Sequence, residues 1–184
     1  MAFRIEVGPK VADTRAMVRK KALLAAGFKS VKNLQIVDVY TIDKPFTKVQ
    51  ASKISSMLSN PVTQTTKFKP EKFTFAIEIG FLPGVTDNIG NTARETIGDS
   101  LKVEFKDEEG VYSSQITFIT MEPAGTHLRG GVENPSSSHL GGGQGVANKI
   151  AESLFNPLIQ HAHIKNYQQF KKDHGMDTVA PKVT

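Results

Sequence analysis

The 184-residue chain contains no cysteine. That absence removes disulfides, thiolate metal sites and thiolate nucleophiles together. Long apolar runs are missing too: none approaches the roughly 20 residues needed to cross a bilayer. The chain opens on a strand-like alternation at residues 3–7, without the basic, apolar and small-residue succession of a secretory leader, so cytoplasmic residence is the expectation. A Gly-Lys-Ser/Thr phosphate loop, a Gly-x-Ser-x-Gly elbow and a dinucleotide-binding glycine fingerprint are all absent.

What is present is a repeat. Ile54-x-x-x-Leu58-x-Asn60-Pro61-x-x-Gln64 returns as Ile150-x-x-x-Leu154-x-Asn156-Pro157-x-x-Gln160, every matched position displaced by 96 (150 − 54). Upstream, Phe3-Arg4-Ile5-Glu6-Val7-Gly8 is similar to Phe75-Ala76-Ile77-Glu78-Ile79-Gly80 at a displacement of 72 (75 − 3). An aspartate follows each segment, Asp13 and Asp87. A constant displacement across mixed residue types points to duplication of one small unit. The increase from 72 to 96 places an insertion of about two dozen residues in the second copy, at Thr126–Gly145, whose glycine, serine and proline content reads as a loop.

Each copy carries the same succession. Phe3–Val7 alternates as a half-buried strand ended by Gly8-Pro9, and Asp13 can cap a helix that turns Met17, Val18, Ala22, Leu24 and Ala25 inward and closes at Gly27. Residues 34–42 form a β-rich stretch broken near Asp38. A helix from Thr47 then buries Ala51, Ile54, Met57 and Leu58 until Pro61 disfavours helical geometry at Asn60, and Thr63–Phe68 makes a short edge strand. In the second copy these become strand Phe73–Ile79, turn Leu82-Pro83-Gly84, and a helix capped by Thr86 or Asp87 with Ile89, Ala93, Ile97 and Leu101 inward. Strand Gln115–Thr120 follows, then a helix through Val146, Ile150 and Leu154.

Strands outnumber helices, which favours antiparallel sheets with helices on one face: an α+β fold of two ferredoxin-like repeats packed as an internal pseudo-dimer. The expected division is 1–70 for the first repeat, 71–167 for the second with the inserted loop 126–145, and 168–184 as a linker-like tail.

The candidate chemical sites are sparse. Gly141-Gly142-Gly143-Gln144-Gly145 precedes a helix, as either a hinge or an anion cradle. His161 and His163 fall on one face of a strand, but neither cysteine nor a neighbouring carboxylate completes a metal site. Asp107-Glu108-Glu109 sits before Gly110 in what reads as a solvated turn, without the contrasting environments that general acid–base pairs need. The net charge of +5, with lysines spread along the chain, reads as solubility rather than nucleic-acid binding, and phenylalanines are not interleaved with basic residues as stacking platforms would be.

The densest unusual segment is Phe81-Leu82-Pro83-Gly84-Val85-Thr86-Asp87-Asn88, a Pro-Gly turn with apolar residues running into a helix cap. Extended to Ile77–Gly90 and Thr92-Ala93-Arg94-Glu95, it resembles the N-terminal region of phosphoribosylformylglycinamidine synthase, the glutamine- and ATP-dependent enzyme of purine biosynthesis. Asp38-Val39-Tyr40-Thr41-Ile42-Asp43 and the two Asn-Pro helix ends are similar as well.

In that family the large synthetase begins with a region that resembles two copies of the small PurS subunit, so the resemblance implies two PurS-like repeats. It also implies a role: a non-catalytic module joining a PurL-type synthetase to a PurQ-type glutaminase and supporting ammonia transfer, with no catalytic residue on this chain. ATP and magnesium would be held by the partner synthetase, and residues Phe81–Asn88 are the expected interface. Neither membrane nor nucleic acid is an expected partner, and homo-oligomerisation stays open. The alternative is a ferredoxin-like regulatory module that binds an anionic small molecule.

Overall fold

The structure is a computed structural model that describes residues 2–122, 141–178 and 180–181. Among the described residues, six strands and five helices follow in this order: β1 (Phe3–Pro9), α1 (Thr14–Ala25), β2 (Val31–Ile42), α2 (Lys48–Met57), β3 (Gln64–Thr65), β4 (Phe75–Phe81), α3 (Asn88–Leu101), β5 (Val111–Met121), α4 (Gly141–Glu152), β6 (Gln160–Asn166) and α5 (Tyr167–Lys172). All strands join one antiparallel sheet in the order β3-β1-β2-β5-β4-β6. The fold is therefore α+β with an open antiparallel sheet to which strands from both sides of residue 70 contribute.

The register repeats as closely as the sequence does. Ile5 faces Tyr40 and Ile77 faces Thr117; Gly8 faces Thr65 and Gly80 faces His161; Pro9 faces Gln64 and Phe81 faces Gln160. Outside the ladder, Lys10 N–H donates to Thr63 C=O at 2.8 Å and Leu82 N–H to Ile159 C=O at 3.0 Å, the same pair displaced by 72 and 96. Each of these pairs maps on its counterpart when β1, β2 and β3 are advanced by 72, 77 and 96 onto β4, β5 and β6. The two halves meet along β2 and β5, where Asp38 faces Gln115.

Strand alternation sends residues to two faces. Helices α1 to α4 cover one of them as two packed pairs. Ala16 and Leu23 of α1 join Ala147, Ile150 and Ala151 of α4 over Leu34, Ile36, Ile77 and Ile119. Ile54 of α2 joins Ala93 and Ile97 of α3 over Ile5, Ile42 and Val111. The opposite face is covered at one end by Phe73, Met176 and the rings of Phe68, Tyr167 and Phe170, which pack on Val37, Val39, Ile116 and Phe118.

Several expectations are corrected. The α1 face is inverted: Ala16 and Leu23 are buried, whereas Met17 and Val18 stand 65% and 63% exposed and Ala22, Leu24 and Ala25 lie outward. The cause is tertiary, because the sheet beneath α1 is polar at its centre and accepts Arg19, one turn from Ala16, through Thr117. Strand β2 is continuous through Asp38, its irregularity lying between Val31 and Asn33. The edge strand expected at Thr63–Phe68 contracts to Gln64–Thr65, and Phe68 instead packs on the far face of the sheet. Residues 141–145, expected in the loop, form the first turn of α4. The rest of that loop, from 126 to 140, lies outside the described residues. The tail folds back: α5, capped by Asn166 and Gln169, brings Phe170 and Met176 against the sheet where a linker was expected.

Candidate functional site

The Pro-Gly segment folds as its residue types require. Val85 N–H donates to Leu82 C=O at 3.1 Å across Pro83 and Gly84, and Gly84 has φ +82°, the geometry of a type II turn. Asp87 caps α3 through the Gly90 amide at 2.8 Å. It also accepts from the Ser113 hydroxyl at 2.7 Å and from the Ser113 amide, tying α3 to β5. Gly90 is required beneath it, since a Cβ there would sit 2.3 Å from the Val111 carbonyl oxygen. Asp87 is thus a buried carboxylate fully occupied in holding a helix end.

Among the eight residues of this segment, Pro83, Gly84, Thr86 and Asn88 are exposed, Phe81, Leu82 and Val85 are half-buried, and Asp87 is buried. The strongly exposed apolar side chain beside them is Ile89, 58% accessible, which helical spacing had placed inward with Ala93 and Ile97.

Between the two helix pairs, a groove of about 380 Å³ opens over the centre of the sheet. Its walls combine Ile79, Phe81, Ile89 and Leu154 with Arg15, Arg19, Asp38, Tyr40, Ser113, Gln115 and Gln160. The Asp38 carboxylate accepts two bonds from Arg15 at 2.9 and 3.0 Å and one from the Gln115 amide at 2.9 Å. The bond to Asp38 leads the effects that raise the pKa of Arg15. Arg19 differs: its only hydrogen bond among the described residues is to the Thr117 hydroxyl, at 2.7 Å, and no carboxylate lies within ion-pair distance. Burial, reinforced by the neighbouring Arg15, pushes its pKa down. Burial likewise raises that of Tyr40. Sequence reasoning missed this groove because Arg19, Asp38, Tyr40, Ile79 and Gln160 are remote in the chain, with no motif to join them.

The opposite face holds an ionic network. Arg4 donates to both oxygens of Glu78 at 2.9 Å and to Glu6 at 2.8 Å, and Ser114 donates its hydroxyl to Glu78. Burial alone would lower the Arg4 pKa; the bonds to Glu78 and Glu6 outweigh it and raise the value. Lys165 reaches Asp177 at 2.7 Å, Asp173 at 2.9 Å and the Gly175 carbonyl at 3.1 Å, pinning the C-terminal segment. His161 and His163 share this face, His163 lying 3.6 Å from Asp177. Among the described residues no group of three His, Cys, Asp or Glu side chains is arranged to hold a metal. In the acidic turn, Asp107 and Glu108 are exposed while Glu109 is paired with Lys44 at 2.6 Å.

Positive charge is concentrated where the lysine positions alone had looked dispersed. Residues 10–32 hold Lys10, Arg15, Arg19, Lys20, Lys21, Lys29 and Lys32 against Asp13, a net +6 (7 − 1), which leaves −1 (5 − 6) for the rest of the chain. On α1 the outward apolar residues Met17 and Val18 are followed directly by Arg19, Lys20 and Lys21.

No protein-family model matches this chain, and no curated protein matches it at a significant level.

Proposed function

We propose that the chain is a tandem PurS-like module, two ferredoxin-like repeats closed on each other as an internal pseudo-dimer. In this reading it serves phosphoribosylformylglycinamidine synthase as a non-catalytic assembly part in the cytoplasm, joining a PurL-type synthetase, which holds ATP and magnesium, to a PurQ-type glutaminase. The observation that carries the reading is the repeated register: strand pairs in β3-β1-β2 recur in β6-β4-β5 at displacements of 72 for β1, 77 for β2 and 96 for β3, the last being the one that relates the two copies of the Asn-Pro-x-x-Gln pattern. The similarity of Ile77–Gly90 to the family supplies the functional half of the reading. The docking surface is Phe81–Asn88, extended by Ile89, whose exposed side chain gives the Pro-Gly turn an apolar neighbour.

The test is reconstitution. The chain is expected to co-purify with a PurL-type synthetase and a PurQ-type glutaminase, and glutamine-dependent amidine formation is expected to need it. Unchanged activity when the chain is omitted, together with failure to bind either partner, overturns the reading. A double variant, Leu82→Asp with Val85→Asp, is expected to weaken assembly; because both side chains are half-buried, its melting curve must be recorded alongside. Intact assembly by a folded double variant removes the turn from the interface.

A second reading, a regulatory module that binds an anionic small molecule, draws support from the unpaired Arg19 in the central groove. It draws none from the glycine-rich segment as a cradling loop, since Gly141–Gly145 is helical.

A further inference from the structure

The two sides of the central groove differ in chemistry. Ile79, Phe81, Ile89 and Leu154 form an apolar side, and the only cation of the lining without a carboxylate partner among the described residues is Arg19. Its guanidinium has five N–H donors, of which Thr117 takes one. Tyr40, half-buried, makes no side-chain hydrogen bond among the described residues. Gln160 uses its carbonyl oxygen to accept the Asn156 amide, which leaves its NH₂ as a donor. The nearby carboxylates are occupied: Asp13 and Asp38 by Arg15, and Asp87 by Gly90 and Ser113. At about 380 Å³ the groove falls within the range of small-molecule sites, which combine apolar walls with a few convergent polar groups.

We infer that this groove is a binding site for a small amphipathic organic anion, its carboxylate or phosphate on Arg19 and its apolar body, about one ring in size, on Ile79, Phe81 and Leu154. A partly buried guanidinium with no carboxylate in direct contact gains more from an incoming anion than an exposed one, because it has already lost much of its hydration, although Asp13 and Asp38 act on it from a distance. The lowered pKa of Arg19 agrees with that environment. The site rests on the second reading above, a module that binds an anionic small molecule, and not on the assembly reading, since it uses residues of this chain alone and stands if no partner is found.

The experiment titrates the full chain with phenyl phosphate, benzoate and neutral benzyl alcohol, following backbone amide and arginine Nε resonances by NMR. Saturable shifts at Ser113, Gln115 and the Arg19 Nε are expected with one or both anions and not with the alcohol. The Arg19→Gln variant, which keeps a donor for Thr117, is expected to bind roughly tenfold or more weakly, as loss of a charge-assisted bond implies. Ile89→Glu, at an exposed position where folding is not at stake, is expected to weaken both anions by placing a like charge at the groove mouth. Equal binding of the neutral alcohol, or undiminished affinity in both variants, overturns the inference. Preference between phenyl phosphate and benzoate identifies the head group.

Discussion

Asn156 and Gln160 lock one another in place: the Gln160 side-chain oxygen accepts the Asn156 amide at 3.0 Å, and the Gln160 amide donates to the Asn156 carbonyl at 2.8 Å. Asn60 and Gln64 repeat both bonds, each at 2.8 Å. In each turn the asparagine side chain also accepts the amide two residues on, from Val62 at 2.9 Å and Leu158 at 3.0 Å. The five-residue spacing Asn-Pro-x-x-Gln is therefore one self-capped turn that ends a helix and aims the next strand. Gln64→Ala and Gln160→Ala each remove one acceptor from an exposed amide, with an expected cost of about 0.5–1.5 kcal/mol each. Urea unfolding checks this, and costs that differ severalfold would mean the turns are alike in geometry but not in energy.

Two glycines are expected to respond in opposite directions. Gly90→Ala forces a Cβ against the Val111 carbonyl oxygen at 2.3 Å and the Asp87 carboxylate at 2.6 Å, with an expected loss of about 1–3 kcal/mol. Gly145 lies in the first half of α4 with nothing within 4 Å of its would-be Cβ. Gly145→Ala is expected to stabilise by about 0.5–1 kcal/mol. A gain is the signature of helix at this position, where the composition reads as loop; thermal melting of the two variants decides.

Arg4 and Glu78 are 10% and 11% exposed at their side chains, so removing one partner leaves a poorly hydrated charge. Arg4→Met is expected to cost about 3–5 kcal/mol. Glu78→Gln is expected to cost less, because Arg4 retains Glu6. A double-mutant cycle in denaturant measures the coupling; additive costs would show that the pair contributes only packing.

Acid sensitivity has a local source in the C-terminal segment. The bond from Lys165, the largest effect, holds the Asp177 carboxyl below its ordinary value. A folded-state pKa below the unfolded one contributes stability that is present above the unfolded value of 3.8 and is lost as pH falls through the folded value. The side chain is 45% exposed, so solvent screening keeps the contribution modest. Asp177→Asn is expected to lower the melting temperature slightly at neutral pH and to match the unmodified chain in strong acid. A difference that persists unchanged to the lowest pH assigns the effect to something other than ionisation.

Much of this molecule was readable in the chain. Asp13, Thr47 and Asp87 cap their helices, Gly27 takes φ +97° after α1, and Gly84 sits at the third position of its turn. Ile54, Ala93 and Ile97 are buried as their spacing requires. Three of the misreadings share one cause. Met17 and Val18 face solvent, Asp38 sits inside a strand, and Phe170 packs on the sheet, each decided by a partner distant in the chain. Apolar spacing identifies a helix face without saying which neighbour it meets.

The sequence by itself determined most of the element types, the caps of α1 to α3, the Pro-Gly turn and the repetition of one Asn-Pro-x-x-Gln turn, because those depend on dihedral preferences and hydrogen bonds within a few residues. Only the tertiary structure decided which side of α1 is buried, the pairing of Arg4 with Glu78 across 74 positions, and the meeting of Arg19 with Thr117 across 98. Such contacts follow from strand order and register, which bring β1 near β4 and set β2 beside β5. The central groove belongs to that second class: its charge and its apolar wall come from segments that no local pattern connects.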